Sequence, residues 1–277
     1  MRPAGTTQDG APPWAGVLQA GGRALADLVL PRVCAGCALP GSVLCAPCGS
    51  RLARPRLAEP RRHPPGFPPT VAAGAYAGPV RPAVVAFKEH GRAELAAPLG
   101  TALALAVATV LTGLPPSSGS SDGGSSDAGS SDAGPVVLVP MPSDPAAVRR
   151  RGRDHVQELA DRAVAELAAA GLTATTVPLL GRAGRTRDSA GLDAAARRAN
   201  LTGRFRRLPV LLPPGCRLVL VDDVATSGAT LTEAARALTA GAPVGGEPVL
   251  AAVVAATPRR VRRPDPPRSA AVLTLRR

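Results

Sequence analysis

The sequence is poor in aromatic residues and in lysine. Aromatic side chains make up 2% of its 277 residues, so the core must be built mainly from alanine, valine and leucine. Thirty-three residues are basic, Lys88 is the single lysine among them, and the formal net charge is +13. The scarcity of aromatic residues argues against a protein that stacks single-stranded bases. Phosphorylated substrates, acidic partners and nucleic-acid backbones all remain compatible with the charge.

The sequence also lacks the pattern of a secretory signal. The segment before Cys34 carries Asp9 and Asp27 and has no basic region followed by an apolar run, so we expect a cytoplasmic protein. Residues 95–114 carry no charge and are long enough to span a bilayer. They are rich in Ala, Thr and Gly and include a proline at position 98, so we expect a buried core helix rather than a membrane span.

Four of the five cysteines form two Cys-x-x-Cys pairs. They are Cys34, Cys37, Cys45 and Cys48, with seven residues between the pairs. Four thiolates at this spacing can surround a tetrahedral ion, and zinc is the usual occupant. No open coordination position is evident, so the spacing predicts a structural zinc site, with disulfides or a redox pair as the alternative. Cys216 stands apart, and we expect it to be a small buried hydrophobic residue.

A strand, two acids and a turn of small residues follow one another at residues 217–231. Residues 219–221 predict a buried strand with Asp222 and Asp223 at its carboxyl end, and a helix is expected over about 231–238. The turn between them comprises Thr226, Ser227, Gly228, Ala229 and Thr230. Backbone N–H groups at a helix N-terminus favour a phosphate, and hydroxyl groups can add hydrogen bonds. The two acids would repel a phosphate, so we expect them to face the hydroxyl groups of a sugar, with magnesium nearby. The segment therefore predicts a ribose 5-phosphate site.

Strands and helices alternate along the rest of the chain. Strands are predicted at 71–76, 136–139, about 175–180 and 249–254, and helices at about 80–87, after Arg92, at about 154–170 and at 231–240. This alternation predicts an α/β fold, in which a parallel sheet is flanked by helices. Ligands of such sheets bind at the carboxyl ends of the strands, which is where the two acids are expected.

The chain is expected to divide into segments of different character. We expect a lead-in at residues 1–30, a zinc module at 31–55, a main domain at 70–257 and a basic tail at 258–277. Residues 54–69 are rich in proline and arginine and predict a linker. Within the main domain, residues 115–135 contain three copies of a Gly-Ser-Ser-Asp unit and are expected to form a flexible insert.

Three arginine-rich clusters follow predicted strands, at residues 149–155, 182–187 and 197–205. Guanidinium groups bind phosphate oxygens bidentately, and a pyrophosphate group carries several charges. One such cluster is more often a solvated surface, but three in corresponding positions favour an anion site.

Taken together, these segments resemble the ComF family of phosphoribosyltransferase-like proteins, which is associated with DNA uptake by competent bacteria. Residues 219–230 are similar to the phosphoribosyl pyrophosphate (PRPP) motif of type I phosphoribosyltransferases. Further similarities in the family's order, within about 25–257, are the cysteine pairs, Phe87–Gly91, Val139–Pro142, Arg151-Gly152, Arg185-Thr186, Leu192, Arg197-Arg198, Asn200 and Phe205. The chain departs from the family at Arg153-Asp154-His155, where Phe-Asn-Gln is usual, and at Ser189 and Ala196.

The resemblance implies an enzyme that displaces pyrophosphate from C1 of PRPP in the presence of magnesium. Asp222 and Asp223 would hold the ribose hydroxyls, residues 226–230 the 5-phosphate, and Arg151 or Arg185 the pyrophosphate. The fold implied is a type I phosphoribosyltransferase-like parallel sheet with a small N-terminal zinc module.

Lys88 and His155 are further candidate residues of the site. A chain that otherwise uses arginine retains Lys88, and a planar guanidinium cannot always replace a compact ammonium. We therefore expect Lys88 to contact a phosphate or an acid of the site, against the alternative of a simple surface lysine. His155 is a candidate proton carrier, against the alternative of an incidental exposed histidine.

The sequence does not identify an acceptor, because it offers no aromatic-rich surface to stack a base. A non-catalytic PRPP sensor or scaffold therefore stays open, with the zinc module docking a DNA-translocating ATPase or helicase. Direct DNA binding through the arginine-rich faces and residues 259–263 is a third alternative.

Overall fold

The structure is a computed structural model that describes residues 32–60, 64–113, 134–183, 203–240 and 248–258. The lead-in 1–30, nearly all of the expected insert 115–135 and the tail from residue 259 lie outside the described residues. The same is true of Arg185 and of most of the third arginine cluster.

Helices and strands alternate through the described residues. The helices are α1 (Ala46–Gly49), α2 (Val80–Glu89), α3 (Ala96–Leu111), α4 (Pro145–Arg151), α5 (His155–Ala169) and α6 (Ala229–Thr239), with 3-10 turns at Ser50–Leu52 and Ala93–Leu95. The strands are β1 (Arg56–Leu57), β2 (Thr70–Ala75), β3 (Val136–Pro140), β4 (Ala174–Thr176), β5 (Leu180–Arg182), β6 (Phe205–Arg207), β7 (Arg217–Ala225) and β8 (Leu250–Ala256).

Six strands form one mostly parallel sheet in the order β1-β2-β8-β7-β3-β4. Only β1 runs antiparallel to its neighbour, and β7 lies in the middle, with Val219 in register with Leu138 of β3 and Leu250 of β8. Strands β5 and β6 pair with each other in a separate antiparallel hairpin. The predicted α/β fold with a parallel sheet is confirmed.

Helices or the hairpin cover both faces of the sheet. One core layer packs α2, α3 and α5 against the sheet through Phe87, Leu103 and Leu159. The opposite layer packs α6 and the β5–β6 hairpin against the other face through Leu231 and Phe205. Because both faces are covered, the central strands are continuous apolar runs rather than alternating ones.

The uncharged stretch forms α3 and packs inside the domain. Leu99, Leu103 and Val107 of this helix are fully buried, which confirms the expected core helix. Gly100 lets α3 approach α5 closely, because a Cβ at this position would lie 2.5 Å from the Cβ of Arg162. Among the described residues, one helical segment, residues 93–111, is long and apolar enough to cross a membrane. Its mean hydropathy is 1.7, and half of it is buried inside the protein.

The structure corrects two of the predicted elements. The strand predicted at about 175–180 is divided, because Pro178 has no N–H to donate to a ladder; β4 pairs with β3, and β5 pairs with β6. The linker predicted at 54–69 contains β1, which extends the sheet at its edge: Ala58 N donates to Thr70 O.

The central strand is also longer than predicted. Strand β7 continues to Ala225, so Asp222 and Asp223 lie within it rather than at its end. Acids usually mark the end of a buried strand, but here Asp223 has ionic partners on neighbouring helices. Helix α6 begins two residues before the predicted Leu231.

Candidate functional site

A cavity of about 240 Å³ opens beside the carboxyl-terminal ends of β3 and β7; we refer to it as the strand-end cavity. Four basic residues line it, together with two acids: Lys88, Arg151, Arg182 and Arg204, with Asp144 and Asp222. His155, Phe205 and Thr230 also contribute to its wall. Parallel sheets bind ligands at this end, so the cavity is the candidate site.

The two adjacent acids of β7 face opposite sides of the sheet. Successive strand residues alternate between faces, and Asp223 shares a face with Val219 and Val221, whose layer contains α2 and α5. The Asp223 side chain is buried, with 2% of its surface exposed. Asp222 is half-buried and lines the strand-end cavity. Of the two acids predicted to face a sugar, the structure brings Asp222 to the cavity and turns Asp223 away from it.

Asp223 is held by two cationic or polar partners. Its Oδ2 lies 2.7 Å from the Nζ of Lys88 on α2 and 3.1 Å from the Nε2 of His155 on α5. Burial opposes ionisation, but the hydrogen bonds from His155 and Lys88, together with the charge of Lys88, hold the pKa of Asp223 well below its usual range. Burial likewise opposes the charge of Lys88, and Asp223 more than compensates, so the pKa of Lys88 is raised. Of the contacts expected for Lys88, the structure shows the one with an acid.

Asp222 is in the opposite electrostatic situation. Burial and the negative charge of Asp223 raise the pKa of Asp222 well above its usual value, and the charge of Lys88 only partly offsets them. Its Oδ1 accepts a hydrogen bond from the backbone N–H of Asp223 at 2.8 Å. A cation or hydroxyl donor in the cavity would therefore lower the free energy of the ionised Asp222.

Two helix caps place Arg151 and His155 at the cavity. Asp144 caps α4 by accepting from the N–H groups of Ala146 and Ala147, and Gly152 ends α4 with a φ of +72°. Asp154 then caps α5, because its side chain accepts hydrogen bonds from backbone N–H groups in the first turn of that helix. His155 is the residue that follows Asp154. Ser143 holds Asp154 through a hydrogen bond of 2.7 Å to its Oδ1.

His155 is buried, with 3% of its surface exposed, so the alternative of an incidental exposed histidine is wrong. Its Nδ1 lies 2.7 Å from the Nη1 of Arg151. The sequence could not show this, because the surfaces that bury His155 come from distant segments. One is the ring of Phe87 on α2. Its centre lies 6.3 Å from the centre of the His155 ring, and the planes of the two rings are at 64° to each other. The guanidinium of Arg153 in turn lies 4.2 Å from the centre of the Phe87 ring.

The β5–β6 hairpin supplies two arginines. Arg182 lies 3.6 Å from the carboxylate of Asp144. The buried Nε of Arg204 has no hydrogen-bond partner among the described residues, and burial together with Arg182 lowers the pKa of Arg204. Both arginines belong to the predicted clusters, but the sequence favoured Arg185, which is not described. Asp144 was missed; its position before a proline at the start of a helix was the signal for a cap.

The predicted phosphate turn borders the cavity through Thr230. Thr226 and Ser227 are exposed, and the first helical hydrogen bond of α6 runs from Thr232 N to Gly228 O. The amides of residues 229–231 therefore precede the helical ladder, as a helix N-terminus requires. Gly228 has a φ of +74°, and a Cβ there would lie 2.7 Å from the ring of Phe67.

The four clustered cysteines lie together at the edge of the domain. Their Sγ atoms are all within 4.8 Å of one another, and Cys34 and Cys45 are 3.5 Å apart. Tetrahedral zinc with bonds of about 2.3 Å would need sulfurs about 3.8 Å apart, so the set is compatible with a structural zinc site. All five cysteines are free, which excludes the disulfide alternative in this structure. Cys216 is half-buried against the core on the α6 face, less than expected.

Backbone amides assist one of these thiols. The N–H groups of Gly36 and Cys45 point at the Sγ of Cys34 at 3.4 and 3.3 Å. Although burial opposes it, these hydrogen bonds lower the pKa of Cys34 to about 6. A thiolate is the form that binds a metal, so the backbone prepares this cysteine as a ligand.

The strand-end cavity combines basic side chains, one acid without an ion pair among the described residues, and the start of a helix. Such a set can hold a multiply charged anion that also carries hydroxyl groups. No known protein-family model matches the chain, and no curated protein sequence matches it significantly.

Proposed function

We propose that the protein is a phosphoribosyltransferase-like member of the ComF family that binds PRPP with magnesium in the strand-end cavity. The main supporting observation is that Asp222, the helix-opening Thr230 and the basic residues Lys88, Arg151, Arg182 and Arg204 line one cavity. PRPP contains the groups that this set recognises: a phosphate, a pyrophosphate and two vicinal hydroxyls.

Each part of PRPP has a candidate partner. Residues 226–230, with the amides that open α6, would hold the 5-phosphate. The carboxylate of Asp222 would accept from the ribose hydroxyls. Arg151, Arg182 and Arg204 would bind the pyrophosphate, joined by Arg185 from the sequence similarity.

In the reaction proposed, the bond between C1 and the pyrophosphate oxygen breaks, and C1 forms a bond to an acceptor that loses its proton. The transition state resembles an oxocarbenium ion, and negative charge builds on the departing pyrophosphate. Guanidinium groups fixed around the cavity would stabilise that charge where it develops, which is the main protein contribution to such a step.

Magnesium fits the donor set of the cavity. This ion prefers oxygen ligands and retains several waters, and Asp222 is the cavity acid that has no ion pair with a described residue. Asp222 would hold the ion together with oxygens of PRPP. When bound, magnesium would supply neutralisation of the phosphate charge.

Calorimetric titration of the zinc-loaded full chain with PRPP and magnesium tests the proposal. We expect binding by the wild type and at least about tenfold weaker binding by Asp222→Asn, because hydrogen bonds to charged groups contribute about 1.5–3 kcal/mol. The matched control is Asp161→Asn, an exposed acid on α5 away from the cavity. A folded wild type that bound no PRPP would overturn the proposal. Pyrophosphate release with a panel of acceptors then separates an enzyme from a PRPP sensor.

Direct nucleic-acid contact is the second candidate function, and a second cavity of about 370 Å³ favours it. Arg51, Arg54 and Arg56 line this cavity beside the zinc module; all are exposed, and none is ion-paired with a described residue. Three exposed arginines on one face suit phosphate backbones, or an acidic surface of the DNA-translocating ATPase that the ComF resemblance implies as a partner.

The salt dependence of binding to a labelled DNA duplex tests this second candidate. Replacing the three arginines by glutamine should flatten the logarithmic salt dependence by about 0.9 for each DNA phosphate that is no longer neutralised. The control replaces Arg162 and Arg236, which pair with Glu166 and Glu233 on their own helices. If the wild type does not bind at low salt, direct DNA binding is excluded and the protein-partner version remains to be tested with the ATPase.

A further inference from the structure

Four side chains from four different elements form a continuous chain of contacts, and three of the four line the strand-end cavity. Lys88 of α2 contacts Asp223 of β7 at 2.7 Å, and Asp223 contacts the Nε2 of His155 at 3.1 Å. The Nδ1 of His155 then contacts the Nη1 of Arg151 at 2.7 Å. His155 is the link in this chain that joins an acid below the cavity to a cation on its wall.

The partners of His155 determine where its proton lies. A guanidinium nitrogen can only donate, so the Nδ1 that faces Arg151 must accept and cannot carry a proton. The proton is therefore on Nε2, which donates to Asp223. His155 is thus a neutral imidazole with both nitrogens occupied by protein groups, and its burial keeps water from replacing either one.

We propose that His155 is a positioning residue of the PRPP site rather than a proton carrier, an inference that rests on the proposed function. It fixes the guanidinium of Arg151 at the cavity wall and keeps Asp223 turned away from the ligand. Because both ring nitrogens already have protein partners, His155 has no free position from which to exchange a proton with an acceptor.

A competing partner explains why Arg151 needs to be held. The carboxylate of Glu89 lies 3.9 Å from the Nε of Arg151, and that buried Nε has no hydrogen-bond partner among the described residues. Without the bond to His155, the guanidinium would be free to turn towards Glu89 and form a closer ion pair. Arg151 would then be partly neutralised and less able to bind an anion.

Two substitutions of His155 distinguish the effect of its hydrogen bonds from the effect of the space that its side chain fills. In His155→Gln, the amide oxygen accepts from Arg151 and the amide N–H donates to Asp223, as the neutral imidazole does. In His155→Leu, neither bond forms. Using inorganic pyrophosphate as the probe with the full chain, we expect His155→Gln to stay within about threefold of the wild type. We expect His155→Leu to bind about tenfold more weakly, because the guanidinium of Arg151 is no longer fixed where the anion binds.

The controls use neighbouring residues. His90→Gln changes an exposed histidine and should bind pyrophosphate like the wild type. Adding Glu89→Gln to His155→Leu removes the competing acid and should restore part of the affinity. A similar affinity in His155→Leu and the wild type, with both proteins folded, would overturn the positioning role.

Nitrogen NMR of the histidine rings and thermal unfolding test the arrangement without any ligand. We expect the His155 signals, assigned with His155→Gln, to show a protonated Nε2 and an unprotonated Nδ1 at neutral pH. We also expect His155→Leu to unfold at a lower temperature and His155→Gln to recover most of the difference. An Nδ1–H tautomer or an imidazolium would overturn the inference. A wild type with this tautomer and the glutamine rescue, but no affinity for PRPP or pyrophosphate, would overturn the proposed function alone.

Discussion

The carboxylate of Asp223 lies 2.7 Å from the ammonium of Lys88, whereas its neighbour Asp222 has no ion pair among the described residues. Adjacent positions on a strand thus give the two acids opposite surroundings. The charge of Asp223 is neutralised inside the protein by Lys88, and its carboxylate also accepts a hydrogen bond from His155. The folded protein disfavours the ionised form of Asp222, and a cation or hydroxyl donor bound in the cavity would stabilise that form.

This difference predicts that Asp222→Asn stabilises the protein while weakening its ligand site. Asparagine keeps the oxygen that accepts from the Asp223 N–H and removes the charge that burial and Asp223 oppose. We expect the free energy of unfolding at pH 7 to be higher for Asp222→Asn than for the wild type, because the pKa of Asp222 is raised on folding. Denaturant unfolding measures it, and a less stable Asp222→Asn would contradict the electrostatic argument.

The neighbouring substitution, Asp223→Asn, should have the opposite effect. It leaves the Lys88 ammonium beside a neutral amide, and removing one partner of a buried pair costs about 3–5 kcal/mol. Because the Lys88 side chain is 36% exposed, water screens part of the loss, and we expect about 1–3 kcal/mol. The same unfolding measurement applies, with Asp161→Asn as the control. Equal stabilities of Asp222→Asn and Asp223→Asn would show that the two acids do not differ as described.

The stability difference between the wild type and Asp223→Asn should also depend on pH. The pKa of Asp223 is lower in the folded than in the unfolded protein, so its stabilisation is present above the unfolded value of about 3.9. It is lost as the pH falls below that value towards the folded pKa. We therefore expect the contribution of Asp223 to the difference to shrink below about pH 4. A difference that grew on acidification would contradict this sign.

Loss of zinc should weaken the cavity as well as the zinc module. The module contacts residues on both sides of α2, the helix that carries Lys88: Gly36 lies beside Pro79, which precedes the helix, and the Nη1 of Arg92, which follows it, donates to Val33 O at 2.9 Å. We expect Cys48→Ser to lose bound zinc, to lower the unfolding temperature and to weaken PRPP binding. Metal analysis, thermal unfolding and calorimetry measure these effects, and Cys216→Ser is the control outside the cluster. Full zinc content in Cys48→Ser would show that Cys48 is not a ligand.

The turn that opens α6 should not tolerate a side chain at Gly228. Alanine there would adopt an unfavourable positive φ and place its Cβ 2.7 Å from the Phe67 ring. Gly171→Ala is the matched control, because Gly171 has a φ of +80° but no atom within 4 Å of its added Cβ. We expect about 1–2 kcal/mol of destabilisation from the backbone alone in Gly171→Ala and a larger loss in Gly228→Ala. Equal losses would mean that Phe67 moves away without cost.

The sequence predicted the sheet because its strands are local apolar runs that alternate with helices. It placed the strand at 136–139 and the helix at about 154–170 close to the observed β3 and α5. It did not predict that β4 and β5 belong to different sheets, because the consequence of Pro178 depends on which neighbour each half pairs with.

The sequence predicted several residues of the candidate site, but it did not predict which way their side chains point. Local pattern placed Asp222, Thr230 and the arginine clusters near strand ends, and the cavity brings several of them together. The roles of Asp223 and His155 depend on Lys88 and Arg151, which reach them from other helices. No local sequence pattern encodes such a contact, so the two acids could not be distinguished from sequence.

The scarcity of aromatic side chains has a consequence for the basic charge of the chain. The stem of Arg162 packs against Gly100 between two helices, and the guanidinium of Arg153 stacks on Phe87. At these positions arginine supplies the contact area that a large apolar ring would otherwise provide. The guanidinium of Arg153 is therefore committed to a contact inside the protein, and it is less available to a polyanion than the net charge of +13 suggests.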